Sequence, residues 1–260
     1  MSRVLRIATR GSAQARRQAD LAAEHLSART GVQVEFVIVQ TTGDQRQDVP
    51  LHQIGGQGVF VKEVQRAVLD GRADLAAHSA KDLPSTPADG LVIGAFCERR
   101  SPWDVLVGRA FDDLPHGATV ASGSVRRRAQ LTRLRPDLRF VELRGNIQTR
   151  LEKIPADGAI VMAEAALQIL GLEHRIASRF TLDQMVPQAG QGCVAIECRA
   201  DDTETQRLLA HLDHAPTRRC VEAERAFLAT LGSGCSLPVG AFAVPSDDDR
   251  EVILRTFVGT

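Results

Sequence analysis

The sequence predicts an α/β protein with largely parallel sheets and at least two domains. Strand-like and helix-like periods alternate through the first half of the chain, and the alternation restarts after a polar segment near residue 100. A chain of 260 residues is long enough for two domains or for two and a small third. With 43% hydrophobic and 25% charged residues, the composition is that of a globular protein rather than a disordered chain.

In the first 100 residues, apolar runs bounded by turn residues predict strands. These strands cover 4–9, 32–39, 74–77 and 91–96, and we interpret 32–39 as buried. A helix is predicted from Ser12 to Arg29, because Ser12 is placed to cap its start and Gly31 to end it. A second helix, from about Phe60 to Leu69, follows the glycine-rich segment 55–58.

The same alternation continues beyond residue 100. Strands are predicted at 104–107, 119–121, 139–143 and 159–163, with helices after Ser124, after Asn146 and over 164–170. A second glycine-rich crossing at 188–192 leads into a strand at 193–198. An amphipathic helix over 217–231 follows Pro216, and strands at 239–244 and 252–258 complete the pattern.

Overall charge and composition exclude several function classes. The 32 basic and 32 acidic residues cancel, tyrosine is absent and tryptophan occurs once, which disfavours nucleic-acid binding. The first residues lack the apolar core of a secretory signal and no run is long enough to span a membrane, so a cytoplasmic location is expected. The histidines and five cysteines lack zinc-ligand spacing and CxxC pairs, so we expect no metal and free thiols.

Charge is concentrated locally although the total is zero. Between residues 126 and 150 there are eight arginines and two acidic residues. Arg126, Arg127 and Arg144 each lie near a glycine where a strand should turn into a helix, and Arg10 repeats this placement near the N-terminus. Helix starts at the ends of parallel strands favour anions, so these residues predict a carboxylate-binding crevice. For Arg133, Arg135 and Arg139, a solvated helix face is the favoured interpretation.

Lys81 and Asp82 directly follow a predicted buried strand. A carboxylate beside a cation stays ionised, so Asp82 could stabilise a positive charge that develops on a substrate, or carry a proton. A surface ion pair in a turn is the alternative.

Cys235 differs from the other four cysteines because it lies in the glycine- and serine-rich segment 232–236, directly after a helix. Such a loop suits a covalent attachment point or a nucleophile, although the residues alone leave an ordinary loop cysteine equally open. The remaining cysteines lie in apolar contexts and are interpreted as packing residues.

Eight motifs resemble the porphobilinogen deaminase (hydroxymethylbilane synthase) family and occur in the family's order along essentially the whole chain. They are RIATR at 6–10, TGD at 42–44, GGQGVF at 55–60, AAHSAKDLP at 76–84, SGSVRR at 122–127, LRGN at 143–146, QAGQG at 188–192 and GSGCSLPVG at 232–240. The resemblance implies a transferase of haem biosynthesis that joins four porphobilinogen molecules head to tail, releases ammonia and yields hydroxymethylbilane. It also implies a dipyrromethane cofactor linked by a thioether to Cys235.

The resemblance further implies roles for individual residues. Asp82 matches the catalytic aspartate, which would contact pyrrole N–H groups and stabilise the cation left when ammonia departs. The substrate carboxylates would be held by Arg10, Ser12, Arg144 and Arg150. The cofactor would be bound by Cys235, Lys81, Ser79, Asp44, Ser122, Ser124, Arg126, Arg127 and Gly145. Porphobilinogen is the implied partner of a monomer that binds neither nucleic acid nor membrane.

The implied architecture has two periplasmic-binding-protein-like α/β domains around a crevice and a small α+β third domain. The first domain would comprise 1–98 with a return segment, 193–213, the second 99–192, and the third, which bears the cysteine loop, 216–260. Gln57 and Ile169 replace basic residues of a relative, and each would remove one anion contact. The sequence also stops at Thr260, where family members usually continue, which would leave a thinner third domain.

Two alternatives remain open at the level of the sequence. One is a divergent paralogue that loads or binds pyrroles without completing four condensations. The other is a non-catalytic two-domain protein that binds anions or pyrroles.

Overall fold

The computed structural model describes residues 3–45, 58, 60–232, 237–248 and 250–259. Within them, three sheets organise the chain. The strands are β1 (Val4–Arg10), β2 (Gln33–Val39), β3 (Leu75–Ser79), β4 (Leu91–Phe96), β5 (Asp104–Gly108), β6 (Thr119–Ala121), β7 (Arg139–Val141), β8 (Ala159–Ala163), β9 (Ile176–Arg179), β10 (Val194–Arg199), β11 (Val239–Pro245) and β12 (Val252–Val258). The helices are α1 (Ala13–Thr30), α2 (Thr42–Gln45), α3 (Lys62–Leu69), α4 (Val125–Leu134), α5 (Ile147–Glu152), α6 (Glu164–Ile169), α7 (Thr203–Leu209) and α8 (Ala215–Thr230).

The first lobe is the sheet β2-β1-β3-β10-β4 with the helices packed on it. Helix α1 begins as predicted, because the Ser12 hydroxyl accepts a hydrogen bond from the backbone N–H of Ala15. It ends at Gly31, whose φ of 71° is the left-handed conformation that glycine adopts without strain. The apolar face of α1 packs on the sheet, where Leu26 shares one buried hydrophobic cluster with Leu5 and Leu75.

The second lobe is the sheet β7-β6-β8-β5-β9, and its strands are arranged in the same order as those of the first. Strand β8 is buried on both faces, with Ile160 and Met162 in one hydrophobic cluster and Val161 in another. Residues 99–103 and 180–193 cross between the lobes. Strand β10 therefore belongs to the first sheet, although it follows the strands of the second in the chain.

Two expectations about these sheets are wrong. The sheets are mixed rather than largely parallel, because β10 pairs antiparallel with β3 and β4, and β5 pairs antiparallel with β8 and β9. Strand β2 is not buried, since it forms the edge of its sheet and leaves Phe36 and Ile38 more than 40% exposed. Apolar composition predicted its strand conformation but not its edge position.

A third unit consists of α8 and the hairpin β11–β12. Glu224, on α8, is fully buried and ties this unit to both crossing segments. Its carboxylate accepts hydrogen bonds from the Arg99 guanidinium at 2.6 and 3.0 Å, and from the backbone N–H groups of Gly190 at 2.7 Å and Ala243 at 2.8 Å. A buried carboxylate with four donors fixes its surroundings strongly. In the described part of the chain, every helix is too short or too polar to cross a bilayer.

Candidate active site

A cavity of about 550 Å³ lies between the first and second lobes. It opens at the carboxyl ends of β1 and β3 in the first lobe and of β6 and β8 in the second. This is the edge at which open α/β sheets bind ligands. Its charged and hydroxyl-bearing lining residues are Arg10, Ser12, Ser79, Lys81, Asp82, Ser124, Arg127, Arg144 and Arg150.

Two of the helices that begin at this cavity are capped by a lining serine. Ser12 caps α1, and Ser124 caps α4 by accepting a hydrogen bond from the backbone N–H of Arg127. Because the strand-to-helix turn ends at Ser124, the next turn of α4 carries Arg126 and Arg127 towards the junction of the lobes. The local sequence therefore determines that Arg126 and Arg127 lie in the first turn of α4.

A tight turn at the end of β3 carries Lys81 and Asp82 into the cavity. The ammonium group of Lys81 donates to the side-chain oxygen of Gln191 at 3.2 Å. Burial, and then the charge of Arg127, lowers the pKa of Lys81 to about 8, against the opposing effect of Asp82 and Asp104. Lys81 therefore lies where positive charge is in excess and where an additional anion would be stabilised.

Arg126 and Arg127 share one fully buried carboxylate, that of Asp104. A nitrogen of Arg126 lies 2.8 Å from one Asp104 oxygen, and a nitrogen of Arg127 lies 2.7 Å from the other. Burial alone would raise the pKa of Asp104, but the charges of Arg126 and Arg127 lower it below its usual range. Asp104 is therefore ionised and holds both arginines in place.

Arg150 adds a further cation to the cavity lining. Burial, and then the charges of Arg127, Arg144 and Arg10, lowers the pKa of Arg150 to about 10, against the opposing effect of Asp82. In the first lobe, the Arg10 guanidinium stacks 4.1 Å from the centre of the Phe60 ring. Because Arg10 of the first lobe and Arg127 and Arg144 of the second all lower the pKa of Arg150, cations from both lobes lie near the same cavity.

Six cations and two carboxylates meet in this region. They are Arg10, Lys81, Arg126, Arg127, Arg144 and Arg150, with Asp82 and Asp104. Such an excess costs free energy unless anions neutralise it, so the residues present fit a ligand with several carboxylates. The arginines between 126 and 150 therefore fall into two groups. Some face the cavity region, whereas Arg135 and Arg139 pair outside it with Asp137 and Asp157.

Most of the candidate site residues lie together, with four exceptions. Arg126 lines a small adjoining cavity with Lys81 and Asp82. Ser122 is buried, and its hydroxyl accepts from the backbone N–H of Ser124, so it shapes the turn. Cys235 lies outside the described residues, as does the side chain of Asp44.

Other outcomes concern residues with a different or an unforeseen place. Gln57 lies outside the described residues, and Ile169 lines a separate cavity against α1. Sequence reasoning missed Asp104 and Gln191, which both contact the candidate cofactor residues. Gln191 lies within the QAGQG motif, so its motif could have indicated a role, whereas Asp104 has no comparable signal of its own.

Two family models match the chain. One, described as "Porphobilinogen deaminase, dipyromethane cofactor binding domain", matches residues 5–207, and the other, "Porphobilinogen deaminase, C-terminal domain", matches residues 218–260. The chain belongs to the porphobilinogen deaminase family. Porphobilinogen deaminase of Thermobifida fusca (strain YX) is 46% identical over 98% of this chain and 81% of its own length. That of Nitratidesulfovibrio vulgaris (strain DSM 19637 / Miyazaki F) is 47% identical over 93% and 78%.

Solved structures of other proteins are similar to this chain in fold alone. The methionine binding protein MetQ has a TM-score of 0.52 and 14% identity over 88% of this chain and 96% of its own. A periplasmic substrate-binding protein of an ABC transporter from Coxiella burnetii has a TM-score of 0.50 and 14% identity over 88% and 99%. Both confirm the predicted architecture of two α/β lobes resembling periplasmic binding proteins.

Membership of the porphobilinogen deaminase family confirms the predicted enzyme class, a transferase of tetrapyrrole synthesis. The first matching domain is the family's cofactor-binding domain, which confirms dipyrromethane as the cofactor. The cation-rich crevice fits this group, because its net positive charge lies where the carboxylates of a small ligand would be held.

Proposed function

We propose that this protein is a hydroxymethylbilane synthase, which condenses four porphobilinogen molecules head to tail and releases one ammonia for each. The observation that carries the proposal is the convergence of six cations on Asp82 in a crevice of a porphobilinogen deaminase chain. Each substrate ring bears an acetate and a propionate, which match the arginine-rich walls in charge.

Both walls of the crevice contribute to the binding of substrate and of cofactor. Arg10, Ser12, Arg144 and Arg150 hold the carboxylates of incoming substrate. The cofactor is held by eight residues and attached to Cys235. The eight are Asp44, Ser79, Lys81, Ser122, Ser124, Arg126, Arg127 and Gly145. When bound, the dipyrromethane supplies the pyrrole carbon to which the first substrate unit is joined.

Asp82 carries the chemistry in this proposal. Asp82 lines the cavity together with Lys81, Arg127 and Arg150. It accepts hydrogen bonds from pyrrole N–H groups and stabilises the positive charge that develops on the substrate as ammonia leaves. It then takes up the proton that the attacking pyrrole carbon releases after the new carbon–carbon bond forms.

The placement of the chain in the cell and its organisation complete the proposal. The protein acts as a cytoplasmic monomer on a small molecule, without nucleic acid or membrane. Its first domain comprises 1–98 and 193–213, its second 99–192, and its third 216–260. The order of the two sheets supports the return of the chain to the first domain.

The test is intact-mass analysis of the full-length protein from a tetrapyrrole-producing host, combined with an assay of ammonia release. We expect the mass of two porphobilinogen-derived units on the wild type and none on Cys235→Ser. Added porphobilinogen should yield ammonia and a four-ring product. Unmodified wild type that binds porphobilinogen reversibly would support a binding protein instead, and shorter products would support a divergent paralogue.

A further inference from the structure

Gln191 joins the two lobes beneath the crevice. Its side chain is fully buried and accepts a hydrogen bond from Lys81 of the first lobe at 3.2 Å. Its amide nitrogen donates to a carboxylate oxygen of Asp104 in the second lobe at 3.0 Å, and to the backbone carbonyl of Pro102 at 2.7 Å. A primary amide has two donor hydrogens and an acceptor oxygen with two lone pairs, so these three contacts use both donors and one of the two acceptor positions.

Asp104 extends the connection to the two arginines of α4. Besides its ion pairs with Arg126 and Arg127, Asp104 accepts a hydrogen bond from the Nε of Arg127 at 2.9 Å. Arg126 also donates to the backbone carbonyl of Val186 at 2.7 Å, and Arg127 to that of Val161 at 3.0 Å. Each guanidinium is thus held from two sides and has a fixed orientation.

This chain of contacts runs from Lys81 through Gln191 and Asp104 to Arg126 and Arg127. It contains three cations and one carboxylate, so it does not neutralise its own charge. A connection that served only to hold the lobes together would gain stability from balanced charges or apolar packing. The excess instead suits a ligand whose carboxylates contact cations of both lobes.

We propose that Gln191 and Asp104 are positioning residues that set the separation of Lys81 from Arg126 and Arg127. They thereby align the two halves of the cofactor's carboxylate site across the lobes. This inference rests on the proposed function. Without the Gln191 side-chain amide, the Lys81 ammonium loses its hydrogen bond to the residue that contacts Asp104, and that bridge no longer fixes the spacing between the two halves of the site.

The experiment compares two full-length variants with a matched control. Gln191→Leu removes all three contacts without changing charge, and Asp104→Asn removes the shared carboxylate charge. Asp74→Asn is the control, because Asp74 is a similarly buried aspartate held by Arg6 and Arg199 at the opposite end of β3. For each protein, circular dichroism verifies folding, intact mass gives cofactor occupancy, and rapid sampling gives the rate at which cofactor-free protein acquires the cofactor from porphobilinogen.

We expect cofactor attachment to slow about tenfold or more in Gln191→Leu and Asp104→Asn, because each loses hydrogen bonds to charged groups at the site. Asp74→Asn should melt at a lower temperature but acquire the cofactor at the wild-type rate. If Asp104→Asn does not fold, Gln191→Leu decides the outcome. Gln191→Glu keeps an acceptor for Lys81 but repels Asp104, so it should remain slow, and its full recovery would overturn the bridge.

The two proposals fail in different ways. A wild type that neither acquires the cofactor nor releases ammonia would overturn the proposed function. A wild type that does both, with Gln191→Leu and folded Asp104→Asn as fast as Asp74→Asn, would overturn only the positioning roles.

Discussion

Asp74 in the first lobe and Asp104 in the second are two buried aspartates with the same kind of partner. Asp74 accepts hydrogen bonds from the backbone and guanidinium of Arg6, and lies 3.4 Å from Arg199. Asp104 contacts Arg126 and Arg127. In both, burial alone would raise the pKa of the carboxyl, and the arginines lower it below the usual value.

The two clusters differ in charge balance and in what they face. Near Asp74, the arginines are matched by Asp202 and Glu204, which pair with Arg3. That cluster lies at the amino end of β3, away from the crevice. Around Asp104 the cations outnumber the acids, and the cluster borders a cavity at the carboxyl ends of the strands. A buried ion pair is therefore insufficient to indicate a site, whereas excess charge facing a cavity does indicate one.

The largest effect is expected from Asp82→Ala, which removes the carboxylate from the charged side of this comparison. Turnover should fall about a thousandfold, because the charge that develops on the substrate loses its stabilising anion. Ammonia release measures it, and intact mass should show better cofactor retention than in Cys235→Ser. Near-normal turnover would remove Asp82 from its proposed role.

Asp74→Asn should destabilise the fold by about 2 kcal/mol without changing turnover, because the largely buried carboxylate loses its charge-assisted hydrogen bonds to Arg6 and Arg199. Chemical denaturation measures this difference. The sign of the pH effect follows from the lowered pKa of Asp74, since the wild type loses this stabilisation as the pH falls below about 4. The Asp74→Asn variant should not lose this stability as the pH falls. If its stability falls as steeply as that of the wild type, other carboxylates cause the loss.

Lys81 should titrate near pH 8 in cofactor-free Cys235→Ser protein, well below the usual 10.5. Between these values the native amine has lost a proton that the unfolded chain keeps, so the contribution of Lys81 to stability rises with pH. NMR of ¹³C-labelled lysine measures this, with Lys81→Met assigning the signal among the three lysines. Cofactor carboxylates should raise the value, and a cofactor-free pKa at 10.5 would contradict the burial of the ammonium beside Arg127.

The smallest effect is expected from Arg139→Gln, which breaks an exposed pair with Asp157. Stability should change by less than about 0.5 kcal/mol, and the KM for porphobilinogen should stay the same. The matched variant Arg150→Gln, within the cavity, should raise KM about tenfold. Equal KM values for the two variants would show that cavity lining does not separate functional from solvated arginines.

Local sequence predicted many of the elements of this protein and the core of its site. The caps at Ser12 and Ser124 and the strand that ends before Lys81 depend on nearby residues, so they could be read directly. Strand β9 and helix α7 were missed, because both are short and their patterns are weak. The edge position of β2 and the antiparallel course of β10 depend on partners far along the chain.

The sequence by itself determined the family, the cofactor class and the candidate residues, because eight motifs preserve both residue type and order. Only the tertiary structure decided which arginines share a cavity and which are paired outside it. It also revealed Asp104 and Gln191, whose partners are 22 to 110 positions away in the chain. Electrostatic interactions depend on distance and burial in space, and these quantities become defined only when both lobes have folded.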